Sequence, residues 1–152
     1  MNIYFDTDYT IIAVDGSLRP GVTRLFSGLI DSGDQIFIWS GNGIRWKDID
    51  RYNLRPFVTE CLEKPVSNYK TEIEKIPETS KPDIVIDDNL EIVAALGGIW
   101  VNRYYFPSDD DFELDHVATV IEEIKSSGTS QDQRYRPSSK SVSYTHLRAH
   151  ET

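Results

Sequence analysis

The run Ile36-Phe37-Ile38-Trp39 carries no polar residue at alternate positions. A strand wetted on one face alternates apolar with polar residues, so an unbroken apolar run fits a strand covered on both faces. Ile84-Val85-Ile86 is a second such run, Ile99-Trp100-Val101 a third, and Asn2-Ile3-Tyr4-Phe5 is mostly apolar and β-prone. Phe57-Val58-Thr59-Glu60-Cys61-Leu62 is more polar and reads as a strand near a sheet edge. Helical patterns separate these runs. Val22, Leu25, Phe26, Leu29 and Ile30 recur at helical spacing after Pro20 and stop at Ser32-Gly33-Asp34, as proline-led and glycine-ended helices do. Further helices are predicted over 44–54, 68–76 and 90–96, and an amphipathic one over 112–124 through Leu114, Val117, Val120, Ile121 and Ile124. This alternation predicts an α/β fold: a parallel sheet of about five strands with helices on both faces, in three layers.

One domain accounts for the 152 residues. Charged residues at 27% and hydrophobic residues at 39% fit a soluble globular chain. The net charge of −9 argues against a generic nucleic-acid or anionic-membrane binder, because such binding needs a basic face. The single cysteine, Cys61, allows no internal disulfide and no cysteine metal cluster, which fits a reducing compartment. No apolar run approaches the roughly 18 residues that cross a bilayer. The first residues have no basic region, and Asp6 interrupts their apolar run, so a cytoplasmic protein without a secretory signal is expected. Residues 1–126 are expected to form the domain. Residues 127–152 lack apolar periodicity and are expected to be a disordered or foreign tail. The terminal run Ser143 to Thr152 resembles a translated sequencing-adapter read-through.

Functional groups of a parallel sheet gather at the carboxyl ends of its strands. Asp6, Asp8, Ser40 and Asp87 each follow an apolar run directly, and Lys64 follows the weaker one. Lys81 precedes its run and belongs at the opposite edge. Asp6-Thr7-Asp8-Tyr9-Thr10 places two carboxylates and a hydroxyl at the end of a buried strand, an arrangement that calls for a cation such as Mg²⁺. The same pattern also suits an ordinary loop with local turn bonds. Ser40 suits a simple strand cap, Asp87-Asp88 a helix cap, and Lys64 a solvated lysine with Lys70 as the substitute.

The four elements in order, Asp-x-Asp-x-Thr, then Ser40, then Lys64, then Asp87-Asp88, resemble the haloacid dehalogenase-like (HAD) superfamily over roughly residues 1–105. Most members are Mg²⁺-dependent phosphohydrolases on a Rossmann-like sheet. Phosphoryl transfer needs an in-line nucleophile, a cation on the phosphoryl oxygens and a proton donor for the leaving oxygen. The resemblance implies Asp6 as nucleophile through an aspartyl-phosphate and Asp8 as acid and then base. It implies Mg²⁺ held by Asp6, Asp87 and the backbone carbonyl of Asp8, with Asp88 acting through a bound water. Ser40 and amides near Gly41 would hold phosphoryl oxygens, Lys64 would offset negative charge, and Thr10 would brace the acidic loop. The stretches 11–35 and 41–64 leave no room for a cap domain. A capless form is therefore implied, open to large or exposed phosphoesters unless a second copy in a homo-oligomer covers the site.

Two other classes compete. A receiver domain uses similar groups, but its acid pair follows the first strand and its lysine comes last, whereas here Asp87-Asp88 comes after Lys64. A module that binds a phosphorylated ligand without turning it over needs the same groups. The dehalogenase branch has no use for a second acid at Asp8.

Overall fold

The structure is a computed structural model and describes residues 1–138. The terminal run that resembles a read-through lies outside the described residues. The fold is α/β, built on a six-stranded, mostly parallel sheet of order β3-β2-β1-β4-β5-β6. The strands are β1 (Asn2–Asp6), β2 (Gln35–Ser40), β3 (Val58–Glu63), β4 (Ile84–Asp87), β5 (Gly98–Trp100) and β6 (Tyr135–Arg136). The helices are α1 (Val22–Asp31), α2 (Trp46–Arg51), α3 (Tyr69–Ile73), α4 (Leu90–Leu96) and α5 (Glu113–Ser127).

Alternate residues of the strands enter two separate cores. Ile3, Phe5, Ile36, Ile38, Ile84 and Ile86 pack with Val22, Phe26 and Leu29 of α1 and with Val117, Val120 and Ile121 of α5. Tyr4, Phe37, Trp39 and Val85 pack with Ile92, Val93 and Leu96 of α4, and Tyr69 and Ile73 of α3 lean on them. Each fully buried side chain of this size contributes about 1.5–3 kcal/mol. The absence of polar alternation in the central strands is thus explained: both sets of side chains leave water.

Two predicted helices are shorter in the structure. The stretch 44–54 narrows to α2, followed by a 3-10 turn at Arg55–Phe57 with Pro56 inside it. The stretch 68–76 narrows to α3: Asn68 takes a left-handed conformation (φ 53°) just before it, and residues 74–76 continue as a turn. Ile11 to Leu18 forms no strand of the sheet. It folds into a flap, with Ala13 N–H donating to Ser17 O at 2.9 Å and Arg19 N–H to Ile11 O at 2.8 Å.

The tail expected from residue 127 begins differently. Helix α5 runs to Ser127 and ends on Gly128 (φ 80°), and residues 129–138 return to the sheet. There β6 pairs antiparallel with β5, through Gly98–Arg136 and Ile99–Tyr135, as a sixth strand beyond the five expected. Arg134 donates from Nε to the buried Glu113 at 2.9 Å, and the Tyr135 ring packs on the larger core. An ion pair, one ring and backbone bonds hold this segment, so it leaves no apolar period to read.

Strand β5 approaches β4 closely at Gly98, where a Cβ would collide with the Val85 carbonyl and amide. Gly98→Ala is expected to lower stability by about 2 kcal/mol or more, read as the urea midpoint of unfolding, because backbone offers no yielding side chain. An unchanged midpoint would disprove the close approach.

Candidate active site

The loop after β1 leads toward β2 and the loop after β4 toward β5, so the crevice at the carboxyl ends opens between β1 and β4. Parallel register pairs Phe5 with Ile86, which sets Asp6 beside Asp87 one step further on. Asp6 is 5% exposed and Asp87 wholly buried. Two carboxylates on neighbouring strands at this depth repel each other and lack water to screen them.

Lys64 answers part of that charge. Its Nζ donates to Asp6 Oδ1 at 3.0 Å and to Asp87 Oδ2 at 3.1 Å. The lysine arrives there because β3 runs beside β2 and its backbone N–H continues the pairing, donating to Ser40 O at 2.9 Å. Lys64, rather than Lys70 on α3, makes this bridge. Burial pushes the Asp6 carboxyl up, the Asp87 charge pushes it further, and Lys64 opposes both, which leaves it at about 8. Burial likewise raises Asp87, to about 6, against Lys64. For Lys64, burial acts downward, but the two carboxylate charges win and hold its ammonium above the ordinary range.

Asp88 completes a cluster: Asp6, Asp87 and Asp88 each offer an oxygen, all within 4.8 Å of one another. The Thr10 hydroxyl stands between them, 3.2 Å from Asp6 Oδ2 and 3.4 Å from Asp88 Oδ1, and it accepts from Asp88 N–H at 3.2 Å. Trp100 Nε1 donates to the Asp88 carbonyl at 3.0 Å. The cap of α4 is Asn89, whose side chain accepts from Glu91 N–H at 2.9 Å, so neither Asp87 nor Asp88 serves as the cap.

The Asp8 carboxylate turns away from the cluster, with Arg45 Nη1 and Asn42 Nδ2 each donating to Oδ2 at 2.7 Å. Burial raises its carboxyl, but those bonds and the Arg45 and Lys64 charges together outweigh it and hold Asp8 below the usual carboxylate range. Ser40 Oγ, 1% exposed as part of its residue, accepts from Asn42 N–H at 3.0 Å and from Arg45 Nη1 at 3.1 Å. Its own hydroxyl hydrogen remains to donate. The Asn42 amide is spent on Ser40, so it is not open to a ligand as the neighbourhood of Gly41 led one to expect. Asp6, Asp8, Ser40, Gly41, Lys64 and Asp88 all border one cleft of about 490 Å³, with Asp87 reached behind Lys64 and Thr10 buried in the acidic loop.

No protein-family model, no curated protein and no solved structure matches the chain.

What the site can do follows from its own side chains. Three close carboxylates, two of them bridged by Lys64 and the third paired with Arg103, form a hard-oxygen set that could hold a metal ion. Among the described residues, no helix is long and apolar enough to cross a membrane.

Three arginines of this region went unread in the sequence. Arg45 pairs with Asp8 and Asp48, and Arg103 pairs with Asp88 at 3.3 Å. Arg19, 1% exposed, donates to Asp111, to the Thr10 carbonyl and to the Asn102 carbonyl, tying the flap to the loop after β5. None of them lies at a strand end, so nothing in the spacing separates them from ordinary surface arginines.

The raised carboxyls have a signed consequence. With Asp6 at about 8 and Asp87 at about 6, against about 3.9 for an unperturbed Asp, the metal-free folded state holds protons that the unfolded chain releases. Their contribution is therefore full below about pH 4 and is lost as pH rises toward about 8. In EDTA, urea unfolding should show stability falling across that window. Asp6→Asn should flatten the fall by an amount on the order of a few kcal/mol. An equal slope in wild type and variant would refute the buried, raised Asp6.

Proposed function

We propose that the chain is a Mg²⁺-dependent phosphomonoesterase of the HAD type, a capless three-layer Rossmann-like domain working through an aspartyl-phosphate on Asp6. The observation that carries this reading is the carboxylate cluster itself: at the mouth of a crevice Asp6 and Asp87 share the one ammonium of Lys64, and Asp88 beside them leans on the more exposed Arg103. Nothing about folding requires three acids gathered at one strand edge, and a divalent cation would offset their charge and give a phosphoryl group a positive centre to bind.

Asp6, Asp87 and Asp88 would hold the ion, and the Asp8 carbonyl is a further candidate. Bound there, Mg²⁺ would supply positive charge that stabilises phosphoryl oxygens and favours an ionised Asp6. An Asp6 oxygen attacks phosphorus, the P–O ester bond breaks, and the departing oxygen takes a proton from Asp8. Water then attacks the acyl phosphate and gives its proton to Asp8, releasing phosphate and restoring Asp6. Lys64 and the Ser40 hydroxyl face the transferred group's negative charge. Arg45 has a defined part in the cycle: a phosphoryl group beside Ser40 competes with Asp8 for its guanidinium. Release from Arg45 lifts the Asp8 carboxyl toward the range where it can give a proton.

The same Arg45–Asp8 pair favours a second reading, a phospho-ligand binder that is catalytically idle, because it keeps the expected acid ionised. Turnover separates the two. Hydrolysis of p-nitrophenyl phosphate should require Mg²⁺, stop in EDTA, and fall by about 10³-fold or more in Asp6→Asn with the fold retained. Mg²⁺ binding without hydrolysis of any phosphoester would leave the binder. Retained hydrolysis in Asp6→Asn would overturn the nucleophile.

A further inference from the structure

The cleft has an aromatic mouth that the phosphoryl chemistry does not use. Tyr9 borders it alongside Asp6, Ser40 and Lys64, and so does Arg103. The Arg103 guanidinium carbon lies 4.7 Å from the centre of the Tyr9 ring and 5.9 Å from that of Tyr105. The Tyr9 and Tyr105 rings stand 5.1 Å apart, and Phe106 meets Tyr105 edge-on at 4.8 Å. Outward along this chain of contacts the rings become wet: Tyr105 is 39% and Phe106 73% exposed. Scattered exposed aromatics need no explanation, but a connected set with a guanidinium beside a polar cleft does.

The mouth is also built rigidly. Tyr9 holds a left-handed backbone (φ 65°), a conformation that is strained for an aromatic residue and persists only where surroundings impose it. They do so here: Tyr9 N–H donates to Ile12 O at 2.7 Å, and Tyr104 N–H donates to Tyr9 O at 2.8 Å. Val14 N–H donates to Tyr105 O at 2.9 Å, which ties the flap to the loop after β5. Asp88 Oδ2 holds Arg103 Nε at 3.3 Å, keeping the flat cation against the rings. Rings and guanidinium planes bind flat, electron-rich groups by stacking, and Arg103 disfavours a cationic one.

We propose that the site takes phosphomonoesters whose leaving group carries a flat, uncharged or anionic ring, seated on Tyr9, Arg103 and Tyr105. The proposal rests on the phosphomonoesterase reading of the same cleft and adds its substrate class. An aryl phosphate and a nucleotide present the same chemistry, and the test separates them.

Tyr105 touches none of the reacting groups, and its side chain hydroxyl has no structural bond to lose among those described, so Tyr105→Ala is a usable probe. Hydrolysis of phenyl phosphate, uridine 5′-monophosphate and glycerol 3-phosphate would be compared in wild type, Tyr105→Ala and Tyr105→Phe. In wild type, kcat/KM for at least one ring substrate should exceed that for glycerol 3-phosphate by about tenfold or more. Tyr105→Ala should raise KM for that substrate about fivefold with kcat kept, leave glycerol 3-phosphate within about twofold, and Tyr105→Phe should restore the wild-type value. Whichever ring substrate leads names the source. Calorimetric binding of the same three compounds to Asp6→Asn, with and without Tyr105→Ala, separates this proposal from the reading beneath it. Ring-selective binding that needs Tyr105 sustains the aromatic seat even if the wild type hydrolyses nothing. Equal handling of glycerol 3-phosphate, or a ring preference untouched by Tyr105→Ala, overturns it even if the protein is a phosphatase.

Discussion

Two carboxylates side by side on buried strands need a cation between them, and the site is arranged around the one that reaches them. Parallel register makes Asp6 and Asp87 neighbours, and Lys64 spans both at 3.0 and 3.1 Å. Burial, and after it the Asp87 charge, still lift the Asp6 carboxyl far above its ordinary range, because the single charge of Lys64 is shared between the two acids. The imbalance comes at a cost to the folded protein and is sustained by the two cores that bury the strands on either side.

A second layer of polar contacts holds the acidic loop in place. Thr7 Oγ1 donates to the Trp39 carbonyl at 3.0 Å, locking the end of β1 to β2. Thr10 stands between Asp6 and Asp88, and the buried Arg19 grips the Thr10 and Asn102 carbonyls along with Asp111. The flap and the loop after β5 thus form one rigid rim, in which the left-handed Tyr9 can be held. The rim's residues belong to no regular element, and it is they that shape the entrance to the cleft.

Much of this was legible in the chain. Ile36-Phe37-Ile38-Trp39 and Ile84-Val85-Ile86 announce strands covered on both faces, and the polar residues that stop them fall at one edge of a parallel sheet. Asp6, Asp8, Ser40, Asp87 and Lys64 follow from that rule; all of them but Asp87, which lies buried behind Lys64, border one cleft. The rule works because a strand end is a place that sequence alone can locate. It is silent on side-chain direction, so it could not tell that Asp8 leans to Arg45 while Asp88 leans toward Asp6. It also missed β6, whose attachment is an ion pair from Arg134 to Glu113 rather than an apolar pattern.

The α/β class, the central strands and the residues that end them follow from the chain alone, because burial on two faces and strand punctuation are local, short-range signals. Which charges pair is settled in three dimensions. Arg45 with Asp8, Arg103 with Asp88, Arg19 with Asp111 and Arg134 with Glu113 join residues 15 to 92 positions apart or lie in irregular loops, where no period marks them. Electrostatic partners are chosen by distance in space, and that distance exists only once the sheet and its loops have closed.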